Sequence, residues 1–289
     1  MKAVLKHELS SYFTGLTGYI FGAFLLLFAG IYTMIYNLQQ YMLVNFEYVL
    51  GEMSFIYLII VPILTMRILA EERRQKTDQL LYSLPLTMTQ VVLGKYFAML
   101  VMLLIPCAIM CVYPVALLPY GKINLMACYS SVFGFFCLGA ALLAIGMYIS
   151  SLTESQPVAA GLCFVIMLVN YYIAYLASCV SSTAIASLTA FVVIGLVIGL
   201  IIYLMTKNFV VSVVSALILV GGTMGVYAYD SSLFDNLFPQ LMENLSLFER
   251  FYVIVNGVFD LTSIVYLVSV AALFVFLSVQ SMEKRRWSE

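Results

Sequence analysis

Charge is what this sequence has least of. Asp, Glu, Lys and Arg together make up 9% of its 289 residues, against about 25% in soluble domains. A soluble chain of this length could not cover its surface with so few charges, so lipid must solvate much of it. Histidine occurs once, at His7. An HExxH zinc site needs two histidines and is excluded for this chain alone, and His7, in the N-terminal helical stretch beside lysines, reads as a surface residue and not as the base of a Ser–His dyad. A phosphate loop is missing as well, because Thr89 stands five positions before Gly94-Lys95 where such a loop needs glycine. No basic stripe suited to nucleic acid is present. Residues 1–16 mix polar and apolar types, and no small-residue cleavage site follows the first apolar run, so the first helix is expected to insert without a cleaved leader. No cofactor is implied.

The six cysteines are Cys107, Cys111, Cys128, Cys137, Cys163 and Cys179. All but Cys179 lie within apolar runs or at their edges. Cys107 and Cys111 are one helical turn apart, yet no His or carboxylate completes a metal site. They are expected to be unpaired thiols packed as small hydrophobes.

What the chain has instead is apolar length: 64% of it is hydrophobic. A span needs about 20 apolar residues, and eight runs qualify: Thr17–Asn37, Met53–Ala70, Tyr96–Leu118, Leu125–Ser150, Pro157–Ser178, Ile185–Thr206, Phe209–Tyr229 and Thr262–Ser281. Only Lys207 and Asn208 separate the sixth from the seventh, which predicts a tight helical hairpin or one broken element. The fold class expected is all-α, a polytopic transmembrane helix bundle. Eight spans put both termini on one side. That side carries eleven of the 13 basic residues, and the other carries only Lys122 and Arg250. Positive charge accumulates in the cytoplasm, so both termini are expected there.

Three stretches outside the spans have patterns of their own. In residues 1–16 a helix would place Leu5, Leu9, Tyr12, Phe13 and Leu16 on one face and Lys2, Lys6 and Ser10 opposite. Such a helix could lie in the membrane interface; the alternative is a frayed start to the first span. The link from Glu71 to Lys95 holds the densest charge. Within it Thr77, Leu80, Leu81 and Leu84 form one apolar stripe, Pro85 stops the helix, and Thr87 with Gln90 reads as a capping box that starts the next. The stripe must bury against lipid or against a protein partner. From Asp230 to Leu261 there are five acids and one Arg, with Leu247, Phe248, Phe251, Tyr252, Val255 and Phe259 on a helical stripe. This predicts short helices on, or dipping into, the outer leaflet. The Asn244-Leu-Ser246 sequon is read as a chance match.

Ionisable residues are nearly absent from the middles of the spans, which argues against ion- or proton-coupled transport. The most polar mid-span position is Asn170, followed by Tyr171 and Tyr172. Asn170 and Tyr171 are candidates to line a pathway; the alternative for Asn170 is a hydrogen bond between helices. Gly18-xxx-Gly22 and Gly195-xxx-Gly199 allow close helix approach, within the chain or in a dimer.

The segment TMRILAEERRQKTDQLLYSLPLTMTQVVLGKYFA resembles the corresponding part of type-2 ABC transporter permeases. The shared pattern is an apolar span, a Glu-rich basic stretch, Thr-x-x-x-Leu-Leu, a proline, and Gly-Lys entering the next span. ISSLTESQPVAAG, residues 149–161, is similar to that family's short turn between spans four and five. The end, LFERFYVIVNGVFDLTSIVYLVSV followed by EKRRW, is similar to gliding-motility-type permeases. The resemblance implies that the N-terminal helix is a connecting helix and that residues 71–95 couple to a separate ABC ATPase subunit through Glu71, Glu72, Arg73, Thr77, Leu80, Leu81 and Leu84. It also implies that a second permease subunit, identical or not, completes the pathway, that the outer helices re-enter the membrane, and that ATP is hydrolysed on the partner and not on this chain. One permease domain would cover residues 1–289. The usual member has six spans, so the hairpin of residues 185–229 is a surplus pair that leaves the topology unchanged. The function expected is the permease subunit of an exporter in the plasma membrane. A non-transporting membrane scaffold or sensor that binds a cytoplasmic partner is the alternative.

Overall fold

The computed structural model describes residues 1–39, 45–70, 74, 87–257 and 259–288. Among them there is no strand. Eight helices are long and apolar enough to cross a membrane, so the chain is an all-α, multi-pass membrane protein. Contacts divide it into two compact units, residues 1–169 with 250–289, and residues 170–249.

The first unit opens with helix α1 (Lys2–Thr14). Gly15 follows in extended conformation and α2 (Thr17–Thr33) begins two residues on. The N-terminal stretch is therefore a separate helix and not a frayed start. Its protein-facing side is Val4, Leu5, Glu8, Leu9 and Tyr12, all half-buried. Phe13 and Leu16, the other members of the expected apolar face, are exposed. Helix α2 ends in a π-helical turn, Met34–Gln39. The second span starts seven residues earlier than the apolar run suggests. It comprises α3 (Phe46–Met53), a 3-10 turn at Ser54–Ile56, and α4 (Tyr57–Thr65). Its start escaped sequence reading because Glu47 and Glu52 interrupt the apolar pattern there. It also ends before Ala70, because the amides of Leu69 and Ala70 turn aside to donate to Ser150 Oγ at 3.3 and 3.1 Å.

Thr87 caps α5 (Met88–Met110), its side chain accepting from Gln90 N at 3.3 Å, as the capping box predicts. A short α6 (Tyr113–Leu117) follows. Helix α7 (Leu125–Leu152) is the most enclosed of the eight spans. Around it pack α3, α4, α5 and α13 (Leu261–Ser288). Tyr57 shows how this core is held. Its ring stacks on Phe135 at 4.4 Å, and its hydroxyl donates to the Phe135 carbonyl at 3.0 Å. Gly146 is the tightest notch, since a Cβ there would lie 2.5 Å from Thr65 Oγ1. Without a hydrophobic force between helices in lipid, such close packing and polar contacts carry their association. Helix α8 (Gln156–Cys179) begins in this unit and ends in the next.

The second unit contains the predicted hairpin, α9 (Ala184–Thr206) and α10 (Phe209–Tyr229). Lys207 takes a left-handed conformation (φ 50°), and Asn208 caps α10 by accepting from Val210 N at 3.1 Å. Gly199 lets Ala216 approach, with a would-be Cβ only 2.7 Å away, and Ser212 Oγ donates to the Gly199 carbonyl at 2.7 Å. Gly195-xxx-Gly199 is thus an intrachain contact. In the other motif Gly18 meets Met102, whereas Gly22 has nothing within 4 Å. Short helices follow as expected, α11 (Leu237–Leu245) in this unit and α12 (Leu247–Val255), whose residues from Arg250 on belong to the first unit. Leu247, Phe248, Phe251 and Val255 are buried; Phe259, placed on the same stripe by the sequence, is 58% exposed. All six cysteines are unpaired, with Cys179 the exposed one.

Candidate functional site

One end of the first unit gathers α1, the start of α5, the stretch after α4, and the ends of α7 and α13. The docking of α1 explains the Gly94-Lys95 pair. A Cβ at Gly94 would sit 3.0 Å from Val4 Cβ and Cγ1, so glycine lets α1 lie directly on α5. Lys95 then reaches sideways. Its Nζ donates to Glu8 Oε1 at 2.9 Å and to the Ile68 carbonyl at 3.2 Å. Lys95 is 3% exposed and Glu8 18%, so this charge pair is largely removed from water, where leaving either charge unpaired is costly. One ammonium thereby ties three pieces of chain: the N-terminal helix, the segment entering the charged link, and the helix leaving it. Ser150, from α7, holds the same entry segment through Leu69 and Ala70. Ser281 of α13 donates to the Ser151 carbonyl at 3.5 Å, which brings the last helix to the same end.

The sequence missed Glu8 and Val4. The signal was available, since Glu8 lies three and four residues from Leu5, Val4 and Tyr12 on one helical face, and Lys95 interrupts an apolar run that has to supply a partner. The proposed coupling residues Glu71, Glu72, Arg73, Thr77, Leu80, Leu81 and Leu84 lie outside the described residues, as does Pro85. Within that stretch Arg74 is described, helical and exposed.

Asn170 and Tyr171 lie in the second unit. Asn170 Nδ2 donates to the Leu245 carbonyl at 3.2 Å and its Oδ1 accepts from Leu247 N at 3.0 Å. The amide so replaces, on both sides, the backbone partners lost where α11 gives way to α12. Ser246 Oγ accepts from Glu249 N at 3.0 Å and completes that junction. The Tyr171 ring meets Phe248 edge to face at 5.0 Å. Asn170 therefore makes a hydrogen-bonding clamp on a neighbouring segment, the alternative weighed for it from sequence.

Outside the spans two aspartates cap helix starts. Asp260 accepts from Thr262 N and Ser263 N, each at 3.0 Å, and from Ser263 Oγ at 2.6 Å. Asp230 accepts from Ser232 N at 2.9 Å and Ser232 Oγ at 2.6 Å. Each carboxyl is held below its ordinary range, first by the serine hydroxyl and then by the backbone amides. Compared with protein-family models, curated proteins and solved structures, the chain matches none.

Proposed function

We propose that this chain is the transmembrane permease subunit of an ATP-binding-cassette exporter, coupled to a separate ATPase subunit. The observation that supports it best is the tie at Lys95. In the family that the sequence resembles, work done by the ATPase enters through the link after the second span. Here Ile68 lies three residues before that link and Lys95 ends it, and both meet Glu8 of α1 through one ammonium. A displacement of the link would therefore move the second span, the third span and α1 together. The distribution of basic residues supports a cytoplasmic position for this end and for both termini, and the reading takes the membrane to be the plasma membrane. A second permease subunit completes the pathway, and ATP hydrolysis stays on the partner.

The test is purification of the chain with its ATPase partner, followed by ATP turnover and vesicle uptake. Leu80→Arg with Leu81→Arg is expected to abolish assembly or coupled turnover. Intact assembly and turnover in that variant would overturn the coupling role. Absence of any ATP-dependent movement of solute in vesicles that hold the intact complex would favour the scaffold or sensor instead.

A further inference from the structure

A ladder of rings runs along one face of α2. Phe24, Phe28, Tyr32 and Tyr36 recur every four residues and so share that face, and all four are half-buried. Successive centroids lie 4.6, 6.5 and 5.9 Å apart. At the Phe24 end lies a cavity of about 210 Å³ lined by α2 and α4, among its walls Ile20, Phe24, Ile59 and Ile63. Its lining is almost wholly apolar. At the Tyr36 end the character changes. Tyr36 and Tyr48 meet at 82° with centroids 5.1 Å apart, two walls of a corner. The half-buried Glu52 stands one turn after Tyr48 in α3 and so on the same helical face as that ring. Among the described residues the ion pair is Lys95–Glu8, and no basic side chain meets Glu52.

We infer that this face of the first unit binds a cationic amphiphile, its tail in the cavity and along the phenylalanines, its head in the corner formed by Tyr36, Tyr48 and Glu52. Charge complementarity selects the occupant. A carboxylate within a span is unfavourable without a partner, and tyrosine faces attract a cation. An anionic head would meet repulsion, and an uncharged one would leave the carboxylate uncompensated. Length agrees too. From Phe24 to Tyr36 the helix rises about 18 Å, somewhat more than half the ~30 Å hydrocarbon core, which suits one alkyl chain. The site stands on the geometry of the first unit and holds whether or not the chain transports.

The experiment uses the full chain in phosphatidylcholine nanodiscs and a tetradecyl-trimethylammonium carrying a photoreactive diazirine in its chain, with labelled peptides mapped by mass spectrometry. Labelling should concentrate on the peptides bearing Phe24–Tyr36 and Ile59–Ile63. Unlabelled tetradecyl-trimethylammonium should compete, and tetradecanol should not. Glu52→Gln should weaken apparent affinity roughly ten-fold while melting at the parent temperature. Should that variant misfold, the competition series on the parent protein decides by itself. Equal competition by tetradecanol, unchanged affinity in a folded Glu52→Gln, or labelling spread equally over α9 and α10 would each overturn the site. The measurement uses neither ATP nor ATPase, so its failure leaves the permease proposal standing.

Discussion

The two units solve the problem of helix association in lipid differently. In the first, α7 is enclosed by four helices, and its small residues meet Thr65 and Tyr57 at distances that allow no added atom. In the second, α9 and α10 form a two-helix hairpin in which Ser212 is the only buried residue of α10. The hairpin relies on local devices: a left-handed Lys207, the Asn208 cap, and one serine hydroxyl bonded across to Gly199. Enclosure demands shape at every position, whereas a hairpin demands only a turn and a narrow contact. Few matching positions suffice for such a hairpin.

The contrast breaks most visibly at glycine. Gly146→Leu should drive a side chain into Thr65 and cost about 3 kcal/mol or more, enough to lower the melting temperature by roughly ten degrees or to prevent folding. Gly222→Leu on α10, where nothing lies within 4 Å, should change it by no more than about 0.5 kcal/mol. A melt followed by a thiol-reactive dye is suitable, because unfolding exposes buried Cys107 and Cys163. Equal losses at both sites would show that the hairpin is as enclosed in the membrane as α7.

Next in size is the tie at the charged end. Lys95→Met leaves Glu8 and the Ile68 carbonyl without their ammonium and should cost about 3 kcal/mol. Lys95→Met with Glu8→Leu removes both charges and should recover much of that loss. If the double variant melts no higher than the single one, the ion pair is not the reason Lys95 is needed.

These two effects also mark what could be read beforehand. The hairpin was legible because its signals are local: length of apolar run, Lys207-Asn208, and small residues four apart. So were all eight spans, the second with its start displaced, and the Thr87 cap. The start of the second span was not, because Glu47 and Glu52 interrupt the apolar pattern there. The charged end was half legible. Gly94-Lys95 stood out, but its partner Glu8 lies 87 residues away, and no periodicity connects them. Asn170 stood out for polarity alone, while its occupation by the backbone of Leu245 and Leu247 is a feature of folding.

A smaller effect lies in the second unit. Asn170→Ala frees one amide and one carbonyl at the junction of α11 and α12, a loss of about 1–2 kcal/mol. Because the unit has few enclosing contacts, the loss should appear locally. Hydrogen exchange at residues 245–249 should quicken while Ile254 and α7 keep their protection. Spread of faster exchange into α7 would mean that the two units do not open independently.

The smallest effect is electrostatic, and it treats the units alike. Asp260 in the first and Asp230 in the second both have carboxyls lowered below the ordinary aspartate value of about 3.9. A lowered folded value means that the cap contributes fully above the unfolded value, and that this contribution is lost as pH falls through the folded one. Near neutral pH neither cap should therefore respond to small changes in acidity. Carbon-detected NMR of the two carboxyls should give both midpoints below the unfolded value. Asp260→Asn keeps a single acceptor oxygen, so it should hold either Thr262 N or the Ser263 donors but not both, and it should remove the acid sensitivity of their exchange. A midpoint at or above about 4 for Asp260 would show that the hydroxyl of Ser263 is not donating to it, and that α13 starts without its carboxylate cap.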